Sequence, residues 1–263
     1  MPSSLSAPDV QAVLQAARRD AAQGHTPPAA FPSPIDWRDQ WIYFLMLDRF
    51  NNPTAPPKHQ LFDDPHFFGF QGGTYAGVQQ QLPYLRALGA GAIWLSPVLR
   101  NFPFDPHTYH GYGIHDFLRA EPRFATDSAN ADRELRDLVD AAHQAGLYVI
   151  FDIVLNHTGD AFAYQCRPDD HVCAASQGAK ASFSDQIQPV RWRDAAGVPT
   201  FPSVENIPNP PVDAFVWPSE FQHDRFFRRQ GTGADVIGDF EHSSRCARTT
   251  THCRMCSLVP ISM

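Results

Sequence analysis

The segment FDIVLNHTGD, residues 151–160, ends a run of apolar residues with a carboxylate, an amide and an imidazole. Asp152, Asn156 and His157 give it the pattern D-x-x-x-N-H. In parallel α/β barrels, polar residues at the carboxyl ends of strands build the active site. Asp48 and Ser96 follow two earlier apolar runs in the same way. A capping or buried hydrogen-bonding role is the alternative for each residue, but three such strand ends favour function.

A second segment, YHGYGIHDF (109–117), concentrates aromatic and hydrogen-bonding side chains in a predicted loop. It holds Tyr109, His110, Tyr112 and Asp116 beside two glycines. A sugar ring needs such a surface, because its C–H bonds stack on an aromatic face while its hydroxyl groups are hydrogen-bonded. Packing of an aromatic loop cluster under a later insertion explains the composition equally well.

Strand-like and helical patterns alternate ahead of these motifs. The apolar runs cover 41–50, 92–98 and 147–155, and we expect the first to be buried on both faces. A helical pattern at 74–89 has Thr74 placed to cap it and Gly89 placed to end it, with a break at Pro83. A second pattern at 128–145 stops before Gly146. Continuous apolar strands alternating with helices predict a parallel β-sheet covered by helices, which is the α/β class.

The flanking segments differ in composition and give the predicted domain boundaries. Residues 1–34 form an N-terminal extension with one helical pattern, and 35–157 form the α/β part. Residues 158–235 are rich in proline and scattered aromatics, which predicts an irregular inserted subdomain with functional loops. Residues 236–263 change character again and form a divergent or frameshifted tail.

Charge and hydropathy exclude several classes of partner. The formal charge is −7 and the pI is about 5.9, without a Lys/Arg cluster, so we expect no nucleic-acid partner. No run approaches the roughly 20 apolar residues of a membrane span. The N-terminus lacks the apolar core of a signal peptide, which predicts a cytoplasmic chain as written, with secretion left open.

The five cysteines do not form a recognisable disulfide framework. Two free thiols at Cys166 and Cys173 are favoured over a small disulfide loop, since nothing else indicates export. The tail offers a third hypothesis, a metal site, whose spacing matches only one C-x-x-C pair. Its candidate ligands are His242, Cys246, His252, Cys253 and Cys256.

Four motifs occur in a family's order and spacing: DRF at 48–50, GGTYAGVQQQLPYLRALGAGAIWLSPV at 72–98, HGYGIHDF at 110–117 and DIVLNH at 152–157. Over roughly residues 37–241 the chain resembles glycoside hydrolase family thirteen, the α-amylase family. The resemblance implies a (β/α)8 TIM-barrel fold. It also implies a retaining hydrolase or transglycosylase acting on the α-glucosidic bonds of starch-like oligosaccharides and polysaccharides.

The same resemblance implies a role for each candidate site residue. Asn156 becomes a ligand of a structural calcium ion shared with the inserted subdomain, and an oxygen ligand suits this hard cation. His157 hydrogen-bonds the sugar in the reacting subsite, and Tyr112 is its stacking platform. His110 belongs with these substrate-binding residues, and Asp152 supports the catalytic face.

Two departures from the family pattern limit what the resemblance implies. The family commonly has tryptophan after the tyrosine of HGY, where this chain has Gly113, so we expect a neighbouring sugar contact to be missing. Retaining hydrolysis needs a nucleophile and a general acid across the scissile bond. The family's G-F-R-x-D nucleophile motif and its later acidic motifs do not occur here. The nearest segment, VIGDFEH with Asp239 and Glu241, lacks the arginine two residues before the aspartate.

We therefore assign no catalytic residue and expect a barrel truncated after about three βα units plus the inserted subdomain. Such a chain would be inactive in isolation. The alternative hypothesis is a non-catalytic carbohydrate-binding or regulatory protein that keeps Tyr112 and His157.

Overall fold

The computed structural model describes residues 4–22, 32–55, 69–165, 186–205, 207 and 209–231. The cysteines, the carboxylates of Asp239 and Glu241 and the tail with its candidate metal ligands lie outside these residues. Two compact units divide the chain, the first holding Met1–Val98 with Leu118–Asp152, the second Leu99–Phe117 with Ile153–Met263. Residues 99–117 thus group with the chain after 152, whereas the sequence-based boundary was drawn after 157. The domain assignment stays a prediction.

The strands are β1 (Ile42–Leu45), β2 (Ala92–Leu95), β3 (Leu99–Asn101), β4 (Ile114–Ala120), β5 (Tyr148–Phe151), β6 (Phe162–Tyr164), β7 (Val190–Arg193) and β8 (Pro199–Phe201). The α-helices are α1 (Pro8–Ala22), α2 (Leu47–Phe50), α3 (Tyr75–Gln80), α4 (Leu82–Ala87) and α5 (Ala131–Gln144). Short 3-10 turns include Thr108–His110 and Pro122–Phe124. None of the helices in the described ranges has the length and apolarity required to cross a membrane.

The first unit is built on a parallel three-stranded sheet in the order β1-β2-β5. Ile42 aligns with Ala92, and Ala92 aligns with Tyr148. One face of the sheet packs through Leu45, Ile93 and Leu95 into a core that also takes apolar side chains from α3, α4 and α5. The predicted parallel sheet with covering helices is confirmed for this face.

The segment 74–89 forms two helices, as its capping and helix-breaking residues predict. The hydroxyl of Thr74 accepts a hydrogen bond from the backbone N–H of Gly77 and caps α3. Pro83 lies in the first turn of α4, where its missing N–H costs nothing. The chain then leaves the helix through Gly89, whose φ of +91° is in the left-handed region that glycine adopts most easily.

Three expectations for the apolar runs are wrong. The run at 41–50 is a strand only as far as Leu45, because the N–H of Leu47 donates to Ser96 Oγ and the chain turns into α2. Burial on both faces also fails, since Phe44 is 46% and Trp94 40% exposed on the face away from the helices. Likewise, the third run is a strand only to Phe151, so that Asp152, Asn156 and His157 follow it in irregular chain.

The second unit contains an antiparallel sheet in the order β6-β7-β8, which the sequence did not predict. Trp192 of β7 is fully buried and packs its ring against Phe162 and Phe227. These strands are three or four residues long, too short to show a period-2 pattern among prolines. The expected irregular insertion therefore has an ordered aromatic core of its own.

Candidate functional site

The loop before β4 brings three ring side chains together in the second unit. His110 lies with its ring centroid 5.2 Å from that of Tyr109 and 5.5 Å from that of Tyr112. The 3-10 turn Thr108–His110 ends at Gly111, whose φ is +86°. The backbone N–H of Tyr112 then donates to His110 Nδ1 over 3.0 Å. The sequence-predicted pair of His110 and Tyr112 is therefore a contact pair.

His157, near the start of the second segment of this unit, contacts the same tyrosine. Its Nε2 donates to the carbonyl oxygen of Tyr112 at 3.3 Å, and both side chains are half-buried. The peptide groups of Tyr112 are thus held on both sides by imidazoles, with His110 accepting at the N–H and His157 donating at the carbonyl. Three predicted substrate-binding residues meet in one place.

Gly113 follows Tyr112 at a position with no room for a side chain. A Cβ atom there would lie 2.4 Å from Thr108 Cγ2 and 3.1 Å from Asn101 Oδ1. Gly113 is buried, and this direction leads into the protein. Position 113 therefore needs glycine because the loop packs tightly there, a reason that the sequence alone did not show.

Asn156 and Asp152 are placed differently from these three residues. Asn156 is exposed, and Asp152 is half-buried in the first unit directly after β5. Calcium takes six to eight oxygen ligands. In the ranges the structure describes, His, Cys, Asp and Glu form no group of three or more that could hold a metal ion. Asparagine and backbone carbonyl oxygens also bind calcium, so the predicted role of Asn156 as a ligand stays a prediction.

An ion pair that the sequence did not predict involves Asp160, three residues after His157. Asp160 Oδ2 is 2.8 Å from Arg193 Nη2, and both side chains are largely buried. Burial raises the pKa of Asp160 to about 6, against the lowering effect of the Arg193 guanidinium, and the charge of Asp105 adds to the rise. The ion pair joins the chain after His157 to β7. In the sequence, Asp160 lies three residues after His157, and no sequence pattern predicts that it pairs with Arg193.

Asp48 and Ser96 take the structural alternative in the first unit. The buried carboxylate of Asp48 accepts hydrogen bonds from the backbone N–H groups of Gln71 and Gly72 and pairs with Arg49. Burial raises the pKa of Asp48, and these donors act in the opposite direction. Ser96 is fully buried and caps the N–H of Leu47. Both side chains hold the backbone beyond the strand ends.

Comparison with known proteins identifies the family. The family described as "Alpha amylase, catalytic domain" matches residues 40–227. The chain belongs to the alpha-amylase family. The predicted resemblance is thereby confirmed, and with the three parallel strands it confirms an α/β fold of the (β/α)8 TIM-barrel type.

Individual relatives match part of this alpha-amylase family chain. The alpha-amylase of Streptomyces lividans is 34% identical over 151 residues, covering 54% of this chain and 16% of that protein. The periplasmic alpha-amylase of Escherichia coli (strain K12) is 32% identical over 145 residues, covering 49% and 20%. A crystal structure of the alpha-amylase from Geobacillus thermoleovorans, complexed with acarbose, is 35% identical with a TM-score of 0.40, covering 52% of this chain and 30% of that one.

Length separates this chain from these relatives. It spans a fifth or less of the two curated proteins and under a third of the crystallised one. Family membership thus holds for the matched residues, while activity is a matter for proposal. That the barrel stops after about three βα units stays a prediction.

Proposed function

We propose that the second unit binds α-glucans, with Tyr112 as the stacking platform and His157 and His110 beside it. In this proposal the chain derives from a hydrolase or transglycosylase of α-glucosidic bonds in starch-like oligosaccharides and polysaccharides. It binds such substrates without turning them over, because it lacks the nucleophile and general acid motifs.

The proposal rests on the hydrogen bonds that two imidazoles make with the backbone of Tyr112. The two hydrogen bonds, 3.0 Å from its N–H to His110 and 3.3 Å to its carbonyl from His157, fix the backbone from which the ring projects. With the backbone held, only the two side-chain torsions of the ring lose freedom when a sugar stacks on it. The imidazole edges next to it are donors and acceptors for sugar hydroxyl groups. Family membership supports α-glucans as the substrate class of this arrangement.

A second candidate function is a non-catalytic carbohydrate-binding or regulatory protein that keeps Tyr112 and His157 but has discarded turnover. It differs from the first candidate in requiring a chain that folds and binds sugar as a stable monomer. The exposed aromatic pair Phe44 and Trp94, whose ring centroids are 5.1 Å apart, counts against such a monomer. An uncovered apolar sheet face favours association.

One preparation of the purified chain tests both candidates. Maltotriose binding is measured by calorimetry, reducing-end release from soluble starch by a colorimetric assay, and oligomeric state by light scattering. Binding without release supports the proposal, and a monodisperse monomer that does so favours the second candidate. Release of reducing ends at an enzymatic rate would overturn the expected inactivity, and absence of binding would overturn both candidates.

A further inference from the structure

Two buried glycines meet where the two halves of the candidate site join. The backbone N–H of Gly159 donates to the carbonyl of Ile114 over 2.8 Å. A Cβ atom on Gly159 would lie 2.6 Å from the carbonyl oxygen of Gly113 and 2.7 Å from Phe102 Cδ2. Ordinary van der Waals contact begins at about 3.4 Å, so the two turns approach as closely as they do only because position 159 has no side chain.

Backbone conformation does not explain either glycine. Neither Gly113 nor Gly159 is among the described glycines with positive φ, so each has a conformation that other residues adopt. The requirement for glycine here is one of space alone. This is the use of glycine in which one backbone approaches another.

The contact lies directly beside the groups that the proposed sugar site uses. Gly113 follows Tyr112, and Gly159 lies two residues after His157, so the glycine contact sets the distance between their two chain segments. The 3.3 Å hydrogen bond from His157 Nε2 to the Tyr112 carbonyl joins the same two segments, so its length depends on the distance between them. A displacement at Gly159 therefore acts on that hydrogen bond.

We infer that Gly159 is a positioning residue of the sugar site, which seats the His157 segment against the Tyr112 loop through Gly113. The inference rests on the proposed function for its ligand, and on the glycine contact for its mechanism. No group in it reacts, and its effect on sugar passes through His157 and Tyr112.

The test compares Gly159→Ala with Gly197→Ala in the full chain. Gly197 is in the same unit, in the turn between β7 and β8. A Cβ there would lie 2.7 Å from Phe104 Cδ2, at a φ of +80°, so this control strains its own turn and meets Phe104 instead of the Gly113 carbonyl. Maltotriose affinity is measured by calorimetry. The ring resonances of His157, assigned by their loss in His157→Gln, are recorded by NMR without sugar.

We expect Gly159→Ala to weaken maltotriose affinity roughly tenfold or more and to shift the His157 resonances. Gly197→Ala should lower the melting temperature and leave both readouts unchanged. If Gly159→Ala does not fold, the double variant with Phe102→Leu relieves the ring contact and retains the clash with the Gly113 carbonyl. That variant should bind as weakly, and wild-type affinity in it would overturn the inference.

The proposed function and the positioning role of Gly159 fail in different ways. If the wild-type chain binds no maltotriose but Gly159→Ala still shifts the His157 resonances, the proposed function is wrong and the positioning role stands. If the wild-type chain binds and Gly159→Ala binds equally with unshifted resonances, the positioning role is overturned.

Discussion

His157 donates from Nε2 to the carbonyl oxygen of Tyr112, joining chain segments that are 45 residues apart. The bond requires a proton on Nε2, whereas His110 requires an unprotonated Nδ1 to accept the N–H of the same tyrosine. Two imidazoles with opposite hydrogen-bonding roles thus hold the two peptide groups on either side of the Tyr112 Cα atom. This arrangement fixes the backbone from which the Tyr112 ring projects.

A pair of substitutions at Tyr112 separates ring stacking from hydrogen bonding. Tyr112→Phe keeps the ring and both backbone bonds, and we expect its maltotriose affinity to stay within about threefold of wild type. Tyr112→Ala removes the face and should cost about 1 kcal/mol or more, a loss of roughly fivefold. Calorimetric titration measures both. Equal affinity in the alanine variant would remove Tyr112 from the site.

Asp160 predicts a pH dependence with an unusual sign for a carboxylate. Its pKa in the folded protein is about 6, above the ordinary value of 3.8, because burial outweighs the Arg193 guanidinium. The folded state therefore holds the proton more tightly than the unfolded state. The resulting stabilisation is complete below pH 3.8 and is lost as the pH rises through about 6. Two pKa units correspond to a loss on the order of 3 kcal/mol.

Urea unfolding between pH 4 and pH 7 measures this effect against Asp160→Asn, in which the extra loss of stability should disappear. Asp194→Asn is the control, since the N–H of Val198 lowers the pKa of that exposed carboxylate. Its contribution has the opposite sign and is lost as the pH falls. Identical pH profiles for wild type and Asp160→Asn would show that Asp160 has an ordinary pKa.

Asp48→Asn should destabilise the first unit and leave sugar affinity unchanged. The amide keeps one oxygen for the N–H groups of Gln71 and Gly72, but it turns its NH2 donors toward Arg49 and removes the charge there, so we expect a loss of about 3 kcal/mol. Asp36, which pairs with Arg38 at the surface, gives a matched Asp36→Asn control without a measurable effect. Thermal melts measure stability. A variant of normal stability that loses sugar binding would return Asp48 to a functional role.

The calcium prediction is tested by linkage. If Asn156 is a ligand, millimolar calcium should raise the melting temperature of the wild-type chain, because a ligand of the folded state stabilises by RT ln(1 + [L]/Kd). Asn156→Ala should lose the shift, and magnesium should give less of it, since it keeps its waters in an octahedral shell. An unchanged melting temperature with calcium would exclude the site in this chain.

Sequence reasoning predicted the elements whose signals are local. Helix ends were predicted from Thr74, Pro83 and Gly89, and the structure has helix ends at these residues. It failed where distant contacts decide. The helical turn at Leu47 depends on Ser96, 49 residues away, and a short apolar run cannot distinguish that turn from a strand.

The candidate site shows the same division. The residue types at 109–117 left a sugar surface and aromatic packing equally open, and the family resemblance implied the sugar roles of Tyr112, His110 and His157. The structure brings these three residues together. The contact of Gly159 with Gly113 and the ion pair of Asp160 with Arg193 had no sequence signal, because each depends on how two segments approach in space.

A calorimetric titration of the purified chain with maltotetraose, matched against cellotetraose of the same length, shows whether Tyr112 and His157 form an α-glucan site. We expect saturable binding of the α-linked sugar and markedly weaker binding of the β-linked one, with the difference lost in Tyr112→Ala. Equal binding of the two sugars, or no binding of maltotetraose by a folded chain, would contradict an α-glucan site at Tyr112 and His157.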